Sequence, residues 1–463
     1  MPRSLFDPAT RASAPATVFS QADCEALTKK VLSFATAPTV NVVVSSTITG
    51  SSKFAHSQIT TGRDAFETST LFQCTFDERS ADMWTTRTDD DGLRAAVTQA
   101  EAIARQGPKR NRVHLVQPGA SYANPRLWYD QTNALGLEAR TDVAHTVAGQ
   151  IAAAGLVGAG TIIVSTGARA VANNAGLFTY GRSTNARLSA SARAKDNTGS
   201  GWASGEAFDW TTLNGAAIAA RAIDKCKRSL NPVAVEPGRY TTVIEPAAYA
   251  EMIWLMMMNQ MELDRAEQGA TAFGKKGGGS KIGLRVLDPR LSLVSDPMDP
   301  DGPFLPFDWR SGRSLDRTVW IDHGVLKTLA VTADYAEEKH LPRVIDNPLS
   351  CRLMAEGTPT SIDEMIASTK RGVYVSRMGG ITQTHLRTMV YTGVTCDGTW
   401  LIEDGKITKP IKNFRFIESP LFFLNNLEQV GKPELVPVWP ETEFVLPAIK
   451  VRDFNFISLA DAI

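Results

Sequence analysis

Along the chain, helical and strand-like patterning alternate without repeating one unit. Ser20 precedes apolar residues at helical spacing, which predicts a capped helix over 21–35. Runs rich in Val, Thr and Phe at 41–48, 54–61 and 65–76, separated by turn residues, predict three strands. Helices are expected over 93–106, where Gly107-Pro108 is a stop, and over 140–153, with an irregular connection at 109–123. A β-rich block follows. It holds an apolar run at 161–165, small and polar residues in loose alternation over 177–194, and a turn-rich stretch at 197–205. A helix over 216–228 closes this half, and Asn231-Pro232 and Pro237-Gly238 punctuate a boundary.

The second half opens with a strand at 239–245, a helix over 247–268 and a glycine-rich loop at 274–283. Strands at 318–322 and 325–331 flank His323-Gly324. Runs at 387–396, 399–403 and 406–411 are joined by Asp397-Gly398 and Asp404-Gly405, a favoured signal for two-residue hairpins. This is a meander without regular β-α-β alternation, so a doubly wound parallel sheet is disfavoured. The reading is α+β in two domains: an α+β unit over 1–230, and a half over 231–463 rich in antiparallel sheet.

Composition narrows the function classes. The chain has 463 residues, enough for two or three domains with a sizeable core. Its 49 basic and 49 acidic residues leave no basic excess, which argues against a nucleic-acid partner. No apolar segment of signal-peptide type follows Met1, and the strongest apolar run, 252–258, is too short for a bilayer. The expectation is a cytoplasmic protein with no membrane partner. Five cysteines are scattered without a C-x-x-C pair, which suits buried free thiols better than a disulfide framework.

Several features invite chemistry and have plainer readings. Gly269-x4-Gly274-Lys275 is like a phosphate-binding loop, yet Lys276 stands where Ser or Thr is required and the segment follows a helix; a surface loop fits better. Asp89-Asp90-Asp91 precedes a helix, where negative charge complements the dipole. His323 before Gly324 suits a turn. His385 and Cys396 could face each other across strands, but two ligands fall short of a usual metal site. The run 253–258 is apolar all round its helix, as in a buried core helix, and Met and Trp also make adaptable walls for a peptide groove.

Five stretches together resemble the TldD/PmbA metalloprotease family, and its PmbA/TldE side in particular. They are Arg317-Thr-Val-Trp-Ile-Asp-His-Gly-Val-Leu-Lys327, Ser361-Ile-Asp-Glu-Met-Ile-Ala-Ser-Thr-Lys-Arg-Gly-Val-Tyr-Val375, Trp400-Leu-Ile-Glu-Asp-Gly-Lys-Ile-Thr408, Glu236-Pro-Gly-Arg-Tyr-Thr-Thr-Val-Ile-Glu-Pro246 and Arg182-Ser-Thr-Asn-Ala-Arg-Leu-Ser189. They occur in the family's order and span 182–416. The resemblance implies two domains and a dimer, either with itself or with a TldD-like catalytic subunit. It also implies trimming of unfolded peptides; the family's older label, modulator of DNA gyrase, reflects peptide substrates rather than DNA binding.

In the family, catalytic subunits hold zinc with His-Glu-x-x-x-His on a helix and a later Cys. Here none of His56, His114, His145, His323, His340 and His385 has a second His three to five residues away. Alignment on Gly269-Ala-Thr-Ala-Phe273 puts Trp254, Leu255 and Asn259 where the motif would stand, with Met258 beside them, and no Cys follows Cys396. Zinc requires several converging N, S or O donors. The implied role is therefore a subunit that binds no cofactor itself, with zinc in a catalytic partner. Trp254, Leu255, Met258 and Asn259 are then candidates for a substrate groove, and no residue is assigned to catalysis. The rival readings are a stand-alone homodimeric peptide-binding protein and a peptidase with an unrecognised site.

Overall fold

The computed structural model describes residues 17–109, 113–342, 350–438 and 442–460. The chain start and part of the expected 109–123 connection lie outside them. Ser20 caps α1 (Gln21–Phe34): its hydroxyl accepts from the Asp23 N–H at 3.2 Å, and the Asp23 carboxylate accepts from the Ser20 N–H at 2.9 Å. That reciprocal pair satisfies two donors that a helix start leaves open. Asp89 caps α2 (Asp90–Gln106) with a single bond, accepting from the Gly92 N–H at 2.9 Å, so the acidic run serves a helix terminus.

The three strands expected over 41–76 are two long ones, β1 (Thr39–Ala55) and β2 (Gln58–Phe76), with β3 (Arg79–Thr85) after them. The hairpin turn is His56-Ser57, both left-handed, and contains no glycine. Gly50, which reads as a break, lies inside β1, because a Cβ there would stand 2.3 Å from the Arg140 guanidinium. Next come α3 (Asp130–Asn133), α4 (Leu137–Ala153), β4 (Val157–Asn173), β5 (Phe178–Arg193), β6 (Ser200–Ala207) and α5 (Gly215–Arg228). The turn-rich stretch is thus largely strand β6. Its Gly201 serves close packing: a Cβ there would meet the Ala222 carbonyl of α5 at 2.3 Å. The six strands form one antiparallel sheet, ordered β3-β2-β1-β4-β5-β6. One face packs under the helices through residues such as Val42, Val44, Ile162 and Val164.

The second sheet comprises β7 (Arg239–Ile244), β8 (Leu291–Ser295), β9 (Thr318–Asp322), β10 (Val325–Leu326), β11 (Cys351–Ala355), β12 (Arg371–His385), β13 (Val390–Glu403), β14 (Lys406–Pro410), β15 (Phe414–Glu418), β16 (Leu427–Pro437) and β17 (Glu443–Leu459). β7 bonds to both β12 and β17, so β17-β15-β13-β12-β7 closes on itself. Two pairings are parallel, β7 with β12 and β11 with β17, and the rest are antiparallel. Against this ring packs α6 (Pro246–Gln260), with Met252, Ile253, Met256 and Met257 buried. The helix expected over 247–268 breaks at Met261 and resumes as α7 (Leu263–Glu267). There the backbone pairs sideways instead: Ala330 N–H donates to the Met261 carbonyl and Leu263 N–H to the Ala330 carbonyl. That pairing also replaces most of the strand expected over 325–331.

Asp404-Gly405 turns the β13–β14 hairpin, and His323-Gly324 the β9–β10 hairpin. Asp397-Gly398 does not turn the chain. Between the pairs Val375↔Thr399 and Arg377↔Cys396 it adds one residue to β13, a bulge held by the Arg377–Asp397 ion pair at 2.6 Å. Cys396 therefore sits opposite Arg377, while His385 pairs with Val390 further along the ladder, so the two do not face each other. All five cysteines are free, four of them buried, and burial pushes the Cys24 and Cys74 thiols up to about 12. Gly269 lies at the end of α7, not at the start of a helix. Between the halves, Lys225 of α5 pairs with Glu245 at 2.7 Å, and the Trp400 indole donates to the Arg228 carbonyl at 2.8 Å. No helix among the described residues is long and apolar enough to cross a membrane.

Candidate functional site

The face of the first sheet turned away from the helices is small and polar. Period-2 alternation places Ser45, Thr47 and Thr49 of β1 there, with Ser165, Gly167 and Arg169 of β4 and Ser183, Asn185 and Arg187 of β5. The register aligns Thr47, Gly167 and Ser183 in one row and Thr49, Ser165 and Asn185 in the next. This face is the floor of a cleft of about 590 Å³ between the two sheets. Arg187 and Asn185 are steadied at one end by Glu206, which accepts from them at 2.5 and 2.7 Å. Its side chain is 0% exposed, and burial pushes its carboxyl up, partly offset by Arg187.

The opposite wall is apolar. Trp254 and Met258, one turn apart on α6, face the cleft beside Phe304, Leu305 and Phe307 of a strap that leaves the second sheet after β8. Arg352 clamps the base of the strap, bonding both oxygens of Asp299 and one of Asp301, each at 2.6 Å. Its far end docks on the first sheet. Asn41 donates to the Arg310 carbonyl and the Tyr122 hydroxyl to the Gly312 carbonyl, both at 2.7 Å, while Phe307 packs on Val43, Leu71 and Val171. A relay closes the remaining side: Trp320 donates to Ser295, Ser295 to the Ser350 carbonyl, and Ser350 to the Glu443 carboxylate.

Of the four residues read from the sequence, Trp254 and Met258 line this cleft. Leu255 packs on the core of the second half, and Asn259 is half-buried outside the lining. The strap carries no helical or alternating signal, and sequence reasoning missed it. The floor was foreshadowed only by the small–polar alternation over 177–194.

The donor set does not fit a zinc ion. The lining offers two carboxylates, Asp308 and Glu443, and no imidazole or thiol. Asp308 is engaged in its own turn, accepting from the Ser311 hydroxyl at 2.7 Å. Among the described residues no three His, Cys, Asp or Glu side chains converge as a metal would require.

The geometry defines a two-sheet protein with a cleft between an open antiparallel sheet and a closed one. Residues 237–458 match the PmbA/TldA metallopeptidase C-terminal domain, and residues 130–230 match the central domain of the same family. The two matches cover more than two thirds of the chain, which belongs to the PmbA/TldD metallopeptidase family. A metalloprotease of Archaeoglobus fulgidus is 24% identical over 217 residues, 44% of this chain and 48% of the relative. One of Methanothermobacter thermautotrophicus is 24% identical over 223 residues, 46% of this chain and 47% of the relative. The aligned region thus spans about half the length of the curated relatives. Among solved structures, a candidate modulator of a DNA gyrase from Thermotoga maritima superposes with a TM-score of 0.81 at 17% identity, covering 94% of this chain and 100% of the other. TldE from Thermococcus kodakarensis gives 0.79 at 17%, covering 93% and 99%. At these identities the superpositions establish the fold.

Proposed function

We propose that this chain is a non-catalytic, TldE-like subunit of a zinc protease that trims unfolded peptides. It holds extended peptide in the inter-sheet cleft, while a TldD-like partner supplies the metal and the general base. The observation that carries this reading is the chemistry at the motif positions. Where catalytic subunits of the family are expected to hold zinc, this chain has Trp254, which it turns, together with Met258 beside the motif positions, toward a cavity otherwise lined by hydroxyls, arginines and apolar strap residues. Such a surface binds and positions: apolar side chains gain burial against the indole and thioether, and main-chain amides find polar partners on the floor. The names of the relatives, metalloprotease and TldE, support the assignment to a peptide-processing system.

Peptide binding tests it on this chain directly. An unstructured 20-residue peptide should bind the purified protein, and Met258→Glu should weaken that binding by about tenfold or more, the cost of setting a charge in an apolar wall. Met258 is only half-buried, so the thermal midpoint should stay near that of the parent. Equal affinity in a folded Met258→Glu protein would remove the cleft from the function.

A further inference from the structure

The floor has a notch at its centre. Gly167 stands in β4 between Thr47 of β1 and Ser183 of β5, and a Cβ built on it would meet only their hydroxyl oxygens, at 3.9 and 4.0 Å. The adjacent cleft-facing hydroxyls, Thr49 and Ser165, lie one row on. Among the described residues the side-chain hydroxyls of Thr47, Thr49, Ser165 and Ser183 make no hydrogen bond, although all four residues line the cleft. A trough of small residues along β4 is thus bounded on both sides by open hydroxyl groups.

We infer that this trough reads the main chain of an extended peptide laid along β4, and that Gly167 sets the size of the side chain pointing down. The inference rests on the peptide-binding reading and adds a substrate pattern to it. Successive same-face positions on a strand repeat every two residues, about 6.7 Å. The amide groups on one side of an extended peptide repeat at the same distance, so Thr47 and Thr49 on one side, and Ser183 and Asn185 on the other, match their spacing. With its amides directed sideways, the peptide turns alternate side chains down and up. The downward ones meet Ser165 and Gly167 and must be small. The upward ones meet Trp254 and Met258, which are separated by about 6 Å of helix rise and so match the same repeat. The ligand class is an extended peptide of alternating small and apolar residues, recognised through its backbone with little dependence on charge.

Gly167 also provides a clean test. Its backbone is not left-handed and nothing crowds its Cβ position, so Gly167→Leu adds bulk to the cleft without displacing the fold. The probe is a blocked octapeptide of alternating alanine and leucine with a lysine at each end, titrated into the full chain by calorimetry. Gly167→Leu should weaken binding at least tenfold with an unchanged thermal midpoint. Thr47→Val with Ser183→Ala should weaken it about tenfold, and N-methylation of every second amide of the probe should abolish it. Undiminished binding by folded Gly167→Leu protein, or by the N-methylated probe, would overturn the inference and leave peptide binding intact. If the parent bound neither this probe nor any unstructured peptide, the peptide-binding reading would fall, and this inference with it.

Discussion

Glu418 carries an ionisable group into the second half, where burial raises its carboxyl to about 7 against the partial relief of N–H donors from Ser419 and Asn455. An unfolded glutamate titrates near 4.3. Between these values the folded chain holds the extra proton, so this group's stabilising contribution is complete below about 4.3 and is lost as pH rises through about 7. Glu418→Gln should therefore flatten the fall in unfolding free energy between pH 5 and 8 by about 1–3 kcal/mol relative to the parent. Denaturant titrations at the two pH values would show it, and parallel pH slopes would refute it. At this scale the sequence was informative about turns and caps. Ser20 and Asp89 act through bonds to near neighbours, and His323 through the left-handed backbone its turn requires, so their residue type reveals their role. Glu206 meets Asn185 and Arg187 across from β5, and Glu418 meets Asn455 of β17, so their burial comes from strand pairing and no local pattern marks it.

Among the elements, those with their own start and stop signals were legible. The Ser20 capping box belongs to this group, and Ser20→Ala should cost about 1 kcal/mol in chemical denaturation. Elements shaped by partners were not. β1, β2 and β6 contain glycines that look like breaks, yet Gly50 and Gly201 make room for Arg140 and for the α5 backbone. Asp397-Gly398 has hairpin composition and forms a bulge, because β12 continues alongside on both sides of it. The strap that makes the apolar wall follows no period and is held by side chains, chiefly Arg352 on Asp299. Arg352→Ala would leave Asp299, 8% exposed, without its cation, and should destabilise the chain by about 3 kcal/mol. It should also weaken peptide binding, because Phe304 and Leu305 depend on that clamp. Calorimetric unfolding and the peptide titration together would check both effects; loss of stability alone would show that the clamp serves the fold and not the cleft.

For the whole molecule, α+β class and family were readable because five stretches keep the family's order, and the fold agrees over nearly the full chain. The cleft was only half readable: α6 supplies its residues from one run of sequence, but the floor joins β1, β4 and β5, which only the register brings together. If zinc resides in a partner, the purified chain should contain no stoichiometric zinc by elemental analysis after chelator-free gel filtration. One zinc per chain would instead require a donor set not formed among the described residues. The most direct measurement is a peptide-trimming assay on this chain alone, on a His-Glu-x-x-x-His relative alone, on the two mixed, and on the mixture with chelator. The expected result is no cleavage by this chain alone, faster trimming in the mixture than by the relative alone, and complete loss with chelator. Robust, chelator-resistant cleavage by this chain alone would contradict a non-catalytic role.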